Sequence, residues 1–443
     1  MEPMERDITG RLLHWKDSRR RKPLLLTGVR QCGKTYTVKS FGQRYFKNLV
    51  YLNFEENSRL AGIFEYNFDV ERILTEIGRV THSEPVPGDT LLFLDEIQEC
   101  PRAITSLKYF CENMPELHII GAGSLLGVAL RSENISFPVG KVNRMRMLPM
   151  SFREFVRAAG GADYLETLRD WPTDRTIPEL YSAPMERWLK EYYLVGGMPE
   201  VVAEWVENHD MEAVFAIQNE ILEDYGDDIS KHAPVSELEK IRWVWASVPK
   251  QLAKENNKFV FSQVKAGKRA AELEDALQWL VDAGLVHRVE LVEKVELPLS
   301  DAANATYFKV YLSDVGLLGR RCGVAAETIL EGNDLYIRHK GALAENYVLN
   351  ELLAGERTPY FWRSGNTAEI DFLYESGGRI IPVEVKSADN TQAKSYRLFC
   401  RQYRPRTGIK ASLKNIGENL CEETRTVSLP LYMLWEAERY TAM

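Results

Sequence analysis

The chain has 443 residues, too many for one hydrophobic core, and the length predicts about two to four domains. Apolar residues make up 45% and charged residues 27%, the mix of a globular protein and not of a disordered or fibrous one. A net charge of −8 excludes a surface that is basic throughout, but leaves room for a local basic face.

The opening MEPMERDITG lacks the apolar centre of a secretory signal, and runs such as Leu91-Leu92-Phe93-Leu94 are too short to span a bilayer. A cytoplasmic location with no membrane partner is expected. The cysteines at 32, 100, 111, 322, 400 and 421 form no C-x-x-C pair, which fits reduced thiols and neither a disulfide framework nor a zinc site.

In chain order, Arg11 to Arg20 read as a charged amphipathic helix, and Leu24-Leu25-Leu26 as a short apolar strand entering a glycine loop. Val50 to Phe54, Leu91 to Leu94 and Leu117 to Ile120 read as further buried strands. Helical patterns between them (Glu65 to Val80, Ile104 to Asn113) predict an α/β fold, a doubly wound parallel sheet, over residues 1–150. Phe152 to Ala159, Met185 to Tyr193 and Met211 to Asp224 predict a helical lid over 151–234. Next come helices at Leu238 to Glu255 and Ala270 to Gly284, a short strand Phe259 to Phe261, and strands Leu285 to Val292 and Tyr307 to Leu312. These read as a winged helix over 235–330. A helix from Lys340 to Leu353 and strands Tyr360 to Arg363, Glu369 to Tyr374 and Ile380 to Lys386 predict a smaller α/β domain over 331–443.

Gly28-Val29-Arg30-Gln31-Cys32-Gly33-Lys34-Thr35 matches G-x-x-x-x-G-K-[ST], after a strand and before a helix. The glycines let the backbone curl so that N–H groups face phosphate oxygens, and the helix adds the positive end of its dipole. Lys34 reaches the β- and γ-phosphates of ATP, and the Thr35 hydroxyl ligates Mg²⁺. The apolar strand ending in Asp95-Glu96 places two carboxylates where ligands sit in such a sheet: Asp95 for Mg²⁺, Glu96 to polarise the attacking water. Ser124 reads either as a polar sensor of the γ-phosphate or as a helix cap. Arg30 lies inside the cradle. Arg131, Arg144 and Arg146 are arginine-finger candidates, none of which the sequence assigns.

PLLLTGVRQCGKT, LLFLDEIQE, IIGAGSLLG and MLPMSFREF, together with Tyr193-Leu194-Val195-Gly196-Gly197-Met198-Pro199-Glu200, resemble a family of prokaryotic AAA+-type ATPases. The resemblance runs along essentially the whole chain. It implies ATP binding and hydrolysis, a helical lid and an additional C-terminal region, and relatives of this type often assemble as homo-oligomers.

Near the C-terminus, Asp371 and Glu384 lie on neighbouring predicted strands, and Glu384 and Lys386 share one strand face. Two carboxylates bind a hard divalent cation and a lysine positions water; Glu345 on the preceding helix completes the set. The pattern is similar to the PD-(D/E)XK nuclease fold, except that Ile370 stands where the motif has proline. The same residues read alternatively as a solvated strand in a domain kept for binding alone.

Lys265, Lys268 and Arg269, and later Lys394, Arg397, Arg401, Arg404 and Arg406, are candidate phosphate contacts, with solvated helix faces as the alternative. Three functions follow as expectations. The first is an ATPase coupled to DNA binding. The second is a nucleotide-gated module for a protein partner with an inert nuclease-like domain. The third is an ATP-licensed, metal-dependent DNA nuclease.

Overall fold

The computed structural model describes residues 4–130, 136–254, 258–326, 329, 337–365, 368–386 and 394–442. Two compact units emerge, Met1–Pro149 with Asp282–Leu285, and Met150–Val281 with Val286–Met443. No helix among the described residues is long and apolar enough to cross a membrane.

The first unit is built on five strands: β1 (Leu24–Thr27), β2 (Asn48–Asn53), β3 (Thr90–Asp95), β4 (His118–Gly123) and β5 (Asn143–Arg146). They run in the order β2-β3-β4-β1-β5, and every neighbouring pair is parallel. Leu24 to Leu26 and Leu91 to Leu94 are fully buried. Each such side chain contributes about 1.5–3 kcal/mol on leaving water, which is why these runs form central strands despite their brevity. β5 went unread in the sequence because NRMR has no apolar run; it is an edge strand with alternately exposed residues.

Helices Lys34–Tyr45, Val70–Thr81 and Pro101–Asn113 connect successive strands. The second starts later than its apolar pattern suggests. Asp69 accepts bonds from the N–H groups of Glu71 and Arg72 and so caps the helix, leaving Ser58–Phe64 as a separate 3₁₀ turn. Strand order matters for function: β4 lies between the strand entering the glycine loop and the strand ending in Asp95.

In the second unit, helices Phe152–Ala158, Glu179–Val195, Pro199–Asn208, Met211–His232 and Leu238–Leu252 precede the strands β6 (Val286–Val292) and β7 (Ala303–Leu312). There follow β8 (Tyr360–Ser364), β9 (Ala368–Ser376), β10 (Arg379–Val385), β11 (Thr407–Ser412), β12 (Gly417–Cys421) and β13 (Thr424–Pro430). All eight form one mixed sheet in the order β12-β13-β11-β10-β9-β8-β6-β7.

The ribbon expected as a wing is therefore the edge of this sheet, joined through Leu291↔Phe361 and Val292↔Trp362. The boundary expected at 330 falls between strands that share hydrogen bonds. Phe259 to Phe261 do not form a strand. One bridge, Lys258↔Lys309, is followed by a 3₁₀ turn at Phe261–Gln263, because the Val260 N–H is taken by Gln251 Oε1 instead of a strand partner.

The helices expected as a lid bond to the C-terminal strands and helices of their own unit. Phe152 N donates to Glu351 Oε1 at 2.8 Å, Ile177 exchanges two bonds with the Asn415 side chain, and Tyr440 OH donates to Trp171 O.

Candidate active site

β1 ends at Thr27, and the chain turns through Gly28 to Gly33 before the helix Lys34–Tyr45 begins. Gly33 has φ 94°, in the left-handed region that side chains disfavour. At Gly28 the constraint is space, since a Cβ there would lie 2.3 Å from Met147 O. The loop is braced from outside. The buried Arg6 donates to Cys32 O at 2.9 Å and to Leu148 O at 2.7 Å, and Cys32 is itself buried. Gly33 supplies no side-chain cap, so the first N–H groups of the helix point into the loop with the positive end of the dipole behind them.

Lys34 is buried and folded back on this loop. Its ammonium donates to Gly28 O (2.9 Å), Val29 O (3.0 Å) and Ser124 Oγ (3.2 Å). Thr35 Oγ1 donates to Asp95 Oδ2 at 2.8 Å, and Tyr51 OH donates to the same oxygen at 3.1 Å. Burial pushes the Asp95 carboxyl above the ordinary carboxylate range, with the bonds from Thr35 and Tyr51 opposing the shift. Burial, and the neighbouring Asp95, push the Tyr51 phenol up to about 12, so it donates to the carboxylate at any ordinary pH. Tyr51 was not picked from the sequence; its place on β2 directly beside β3 is the pairing that brings it there.

Glu96 sits at φ 47°, ψ 46°, a left-handed conformation uncommon outside glycine and often found at functional positions. Its carboxylate accepts from Gln98 Nε2 (2.7 Å), Ser124 N (3.2 Å) and Ser124 Oγ (3.4 Å). The loop, both acids and Ser124 thus meet at the carboxyl ends of β1, β3 and β4. Ser124 is one residue past β4, between Lys34 and Glu96, and its hydroxyl bonds to both of them and caps no helix.

Of the arginine-finger candidates, Arg144 and Arg146 lie on β5 with exposed side chains, Arg144 over the Phe137 ring at 4.3 Å. Arg131 lies outside the described residues.

The C-terminal candidates also gather, with additions. Asp371 Oδ2 accepts from Val385 N at 2.7 Å, and Lys386 Nζ lies 2.6 Å from Glu384 Oε1. Glu345 Oε2 accepts from Tyr311 OH at 2.9 Å and faces Lys309 Nζ at 3.5 Å. Burial and the charges of Glu384 and Glu345 push the Asp371 carboxyl well up. Lys309 and Tyr311 alternate along β7 and were missed because nothing in the sequence pairs β7 with the helix that carries Glu345. Among the described residues no group of three or more His, Cys, Asp and Glu side chains is arranged to hold a metal ion. Glu345, Asp371 and Glu384, expected as ligands, contact Lys309, Lys386, Tyr311 and the Val385 N–H, while Glu384 Oε2 is buried without a hydrogen-bond partner.

Four of the expected DNA contacts have side-chain neighbours on the surface: Lys268 with Glu272, Arg401 with Glu422, Arg404 with Glu423, and Lys265 over the Trp243 ring.

Residues 20–156 match a family model described as an AAA domain, which takes in the loop, Asp95, Glu96 and Ser124. Residues 186–328 and 340–432 match two domains of unknown function, DUF8612 and DUF4143. Uncharacterized proteins of Mycobacterium tuberculosis and Mycobacterium bovis are each 36% identical over 80 residues, covering 18% of this chain and only 17% of theirs. Among solved structures, the Walker-type ATPase of Pyrococcus abyssi is similar at 15% identity and a TM-score of 0.45, over 72% of this chain and 96% of that one. The ORC2 protein of Aeropyrum pernix is similar at 14% identity and a TM-score of 0.37, over 74% and 95%.

Proposed function

We propose that the AAA-type region binds ATP with Mg²⁺ in the loop Gly28 to Thr35 and hydrolyses it. The observation that carries this reading is the 2.8 Å contact between Thr35 Oγ1 and Asp95 Oδ2, two hard oxygen donors brought together from separate elements beside an anion-binding helix N-terminus. They fit Mg²⁺, which when bound neutralises charge on the phosphate oxygens.

The chain's own residues do the rest. Loop N–H groups and Lys34 bind the phosphates, the lysine exchanging its carbonyl partners for phosphate oxygens. Glu96 orients the attacking water and takes its proton. Ser124 stands between them as the γ-phosphate sensor.

Phosphate release in the presence of Mg²⁺ tests the reading. Lys34→Ala abolishes nucleotide retention, and Glu96→Gln retains nucleotide while losing turnover by at least about 100-fold. Wild-type protein that neither retains nor consumes ATP would sink it.

For the C-terminal region, the buried Lys309, paired with Glu345 and Glu369 beside the carboxylate cluster, favours a binding module for a protein partner over a nuclease. Incubation with duplex DNA and Mg²⁺ or Mn²⁺ leaves the duplex intact on this reading. Strand breaks that disappear in Asp371→Ala would restore the nuclease.

A further inference from the structure

The proposed water-polarising carboxylate is held by a residue not so far given a role. Gln98 Nε2 donates to Glu96 Oε2 at 2.7 Å, the shortest of the contacts to that carboxylate. A carboxylate only accepts, so the amide nitrogen must face it. The other end of the same carboxamide, Oε1, is buried with no protein partner. Leaving an acceptor in this state is unfavourable, so the side chain is not placed there for its own stability.

A second observation concerns the space it fills. A Cβ at Gly123 would lie 1.8 Å from Gln98 Oε1 and 2.9 Å from its Cδ, while its next neighbour, Leu126 Cβ, is at an ordinary 3.5 Å. The carbonyl end of the carboxamide therefore points into the space beside Gly123 at the end of β4, in room that only glycine leaves. The Lys34 ammonium donates to Ser124 Oγ, which donates on to Glu96 Oε1. Glu96 is thus gripped by the Ser124 hydroxyl, which follows Lys34, and by two groups that do not, the Ser124 N–H and the Gln98 side chain.

We infer that Gln98, seated on Gly123, is the positioning residue that fixes Glu96 while Lys34 and Ser124 turn to the nucleotide. This deepens the ATPase reading and rests on it. When Lys34 moves to the phosphates, Ser124 loses its donor and is free to reorient; Gln98 then remains as the side chain that keeps the Glu96 carboxylate turned to the water. Gly123 acts only through Gln98.

The test uses the full chain and three variants: Gln98→Ala, Gly123→Ala and the two combined. Gln98→Ala lowers kcat by about tenfold or more, with the KM for ATP within about twofold of wild type. Gly123→Ala displaces a flexible side-chain end and not backbone, and gives the same loss. The combined variant is no worse than either alone, because both remove one contact.

A Gln98→Ala turnover within twofold of wild type, or multiplying losses in the combined variant, overturns the inference while leaving ATP hydrolysis standing. Wild-type protein that retains no fluorescent ATP analogue and releases no phosphate overturns both.

Discussion

Lys309 Nζ lies 2.5 Å from Glu369 Oε1, with the lysine side chain only 1% exposed. The same ammonium faces Glu345 at 3.5 Å, and these carboxylates hold its pKa well above the usual lysine value against the opposing effect of burial. A buried cation among acids is strongly coupled to them, and removing it leaves charges without compensation.

Lys309→Met is accordingly expected to destabilise the second unit by about 3–5 kcal/mol at neutral pH. Protonating Asp371, whose carboxyl is already pushed up, relieves that repulsion. The loss shrinks as pH falls, and denaturant melts of wild type and variant at several pH values measure it. A pH-independent difference would mean that Lys309 acts through packing alone.

Asp95 gives the opposite balance between stability and activity. Its pKa is raised by burial, so the native state holds a proton that the unfolded chain releases, and stability falls as pH rises through the raised value. At neutral pH the ionised carboxylate therefore weakens the fold. Asp95→Asn keeps an acceptor for Thr35 and Tyr51 and is expected to raise the melting temperature. Turnover is expected to fall by at least about 100-fold, since an amide is a poor Mg²⁺ ligand. Calorimetry and phosphate release on one preparation check both directions.

Gly28→Ala is expected to abolish nucleotide retention. The added Cβ meets Met147 O at 2.3 Å, and that oxygen is backbone, so the loop itself must shift. A displacement of the cradle by about 1 Å is enough to lose 100-fold or more in positioning-dependent activity. Retention of a fluorescent ATP analogue is the direct measurement, with circular dichroism to show that the unit still folds.

Asp314 explains the segment around Gly197. Its carboxylate accepts from Gly197 N at 2.6 Å and from Leu317 N at 2.9 Å, capping the helix Val315–Arg321 and tying it to the turn after Glu179–Val195. Burial raises its pKa to about 6 despite these bonds. With the folded value above the ordinary 3.8, stability attributable to this group declines as pH climbs from about 4 through 6. Asp314→Asn should flatten that part of the stability profile. Asp314→Ala, which loses the cap, should destabilise by about 1–3 kcal/mol across it. Urea midpoints between pH 4 and 7 give the comparison.

What the sequence determined alone was local chemistry. Gly28 to Thr35 carry their own backbone requirements, and LLFLDE combines a fully apolar strand with two acids at its end, so loop, strand and acids were legible without any partner. The edge strand β5 and the left-handed turn at Glu96 were not, because neither has a periodic signal.

Tertiary structure decided everything that depends on which strands are neighbours. Placing β4 between β1 and β3 sets Ser124 between Lys34 and Glu96, and lays Gln98 on Gly123. Pairing β6 with β8 turned an expected wing into a sheet edge, and brought Lys309 on β7 to acids distant in the chain. Strand pairing rests on hydrogen bonds and buried faces between remote segments. A single stretch of residues therefore records that a strand forms, but not which strand lies beside it.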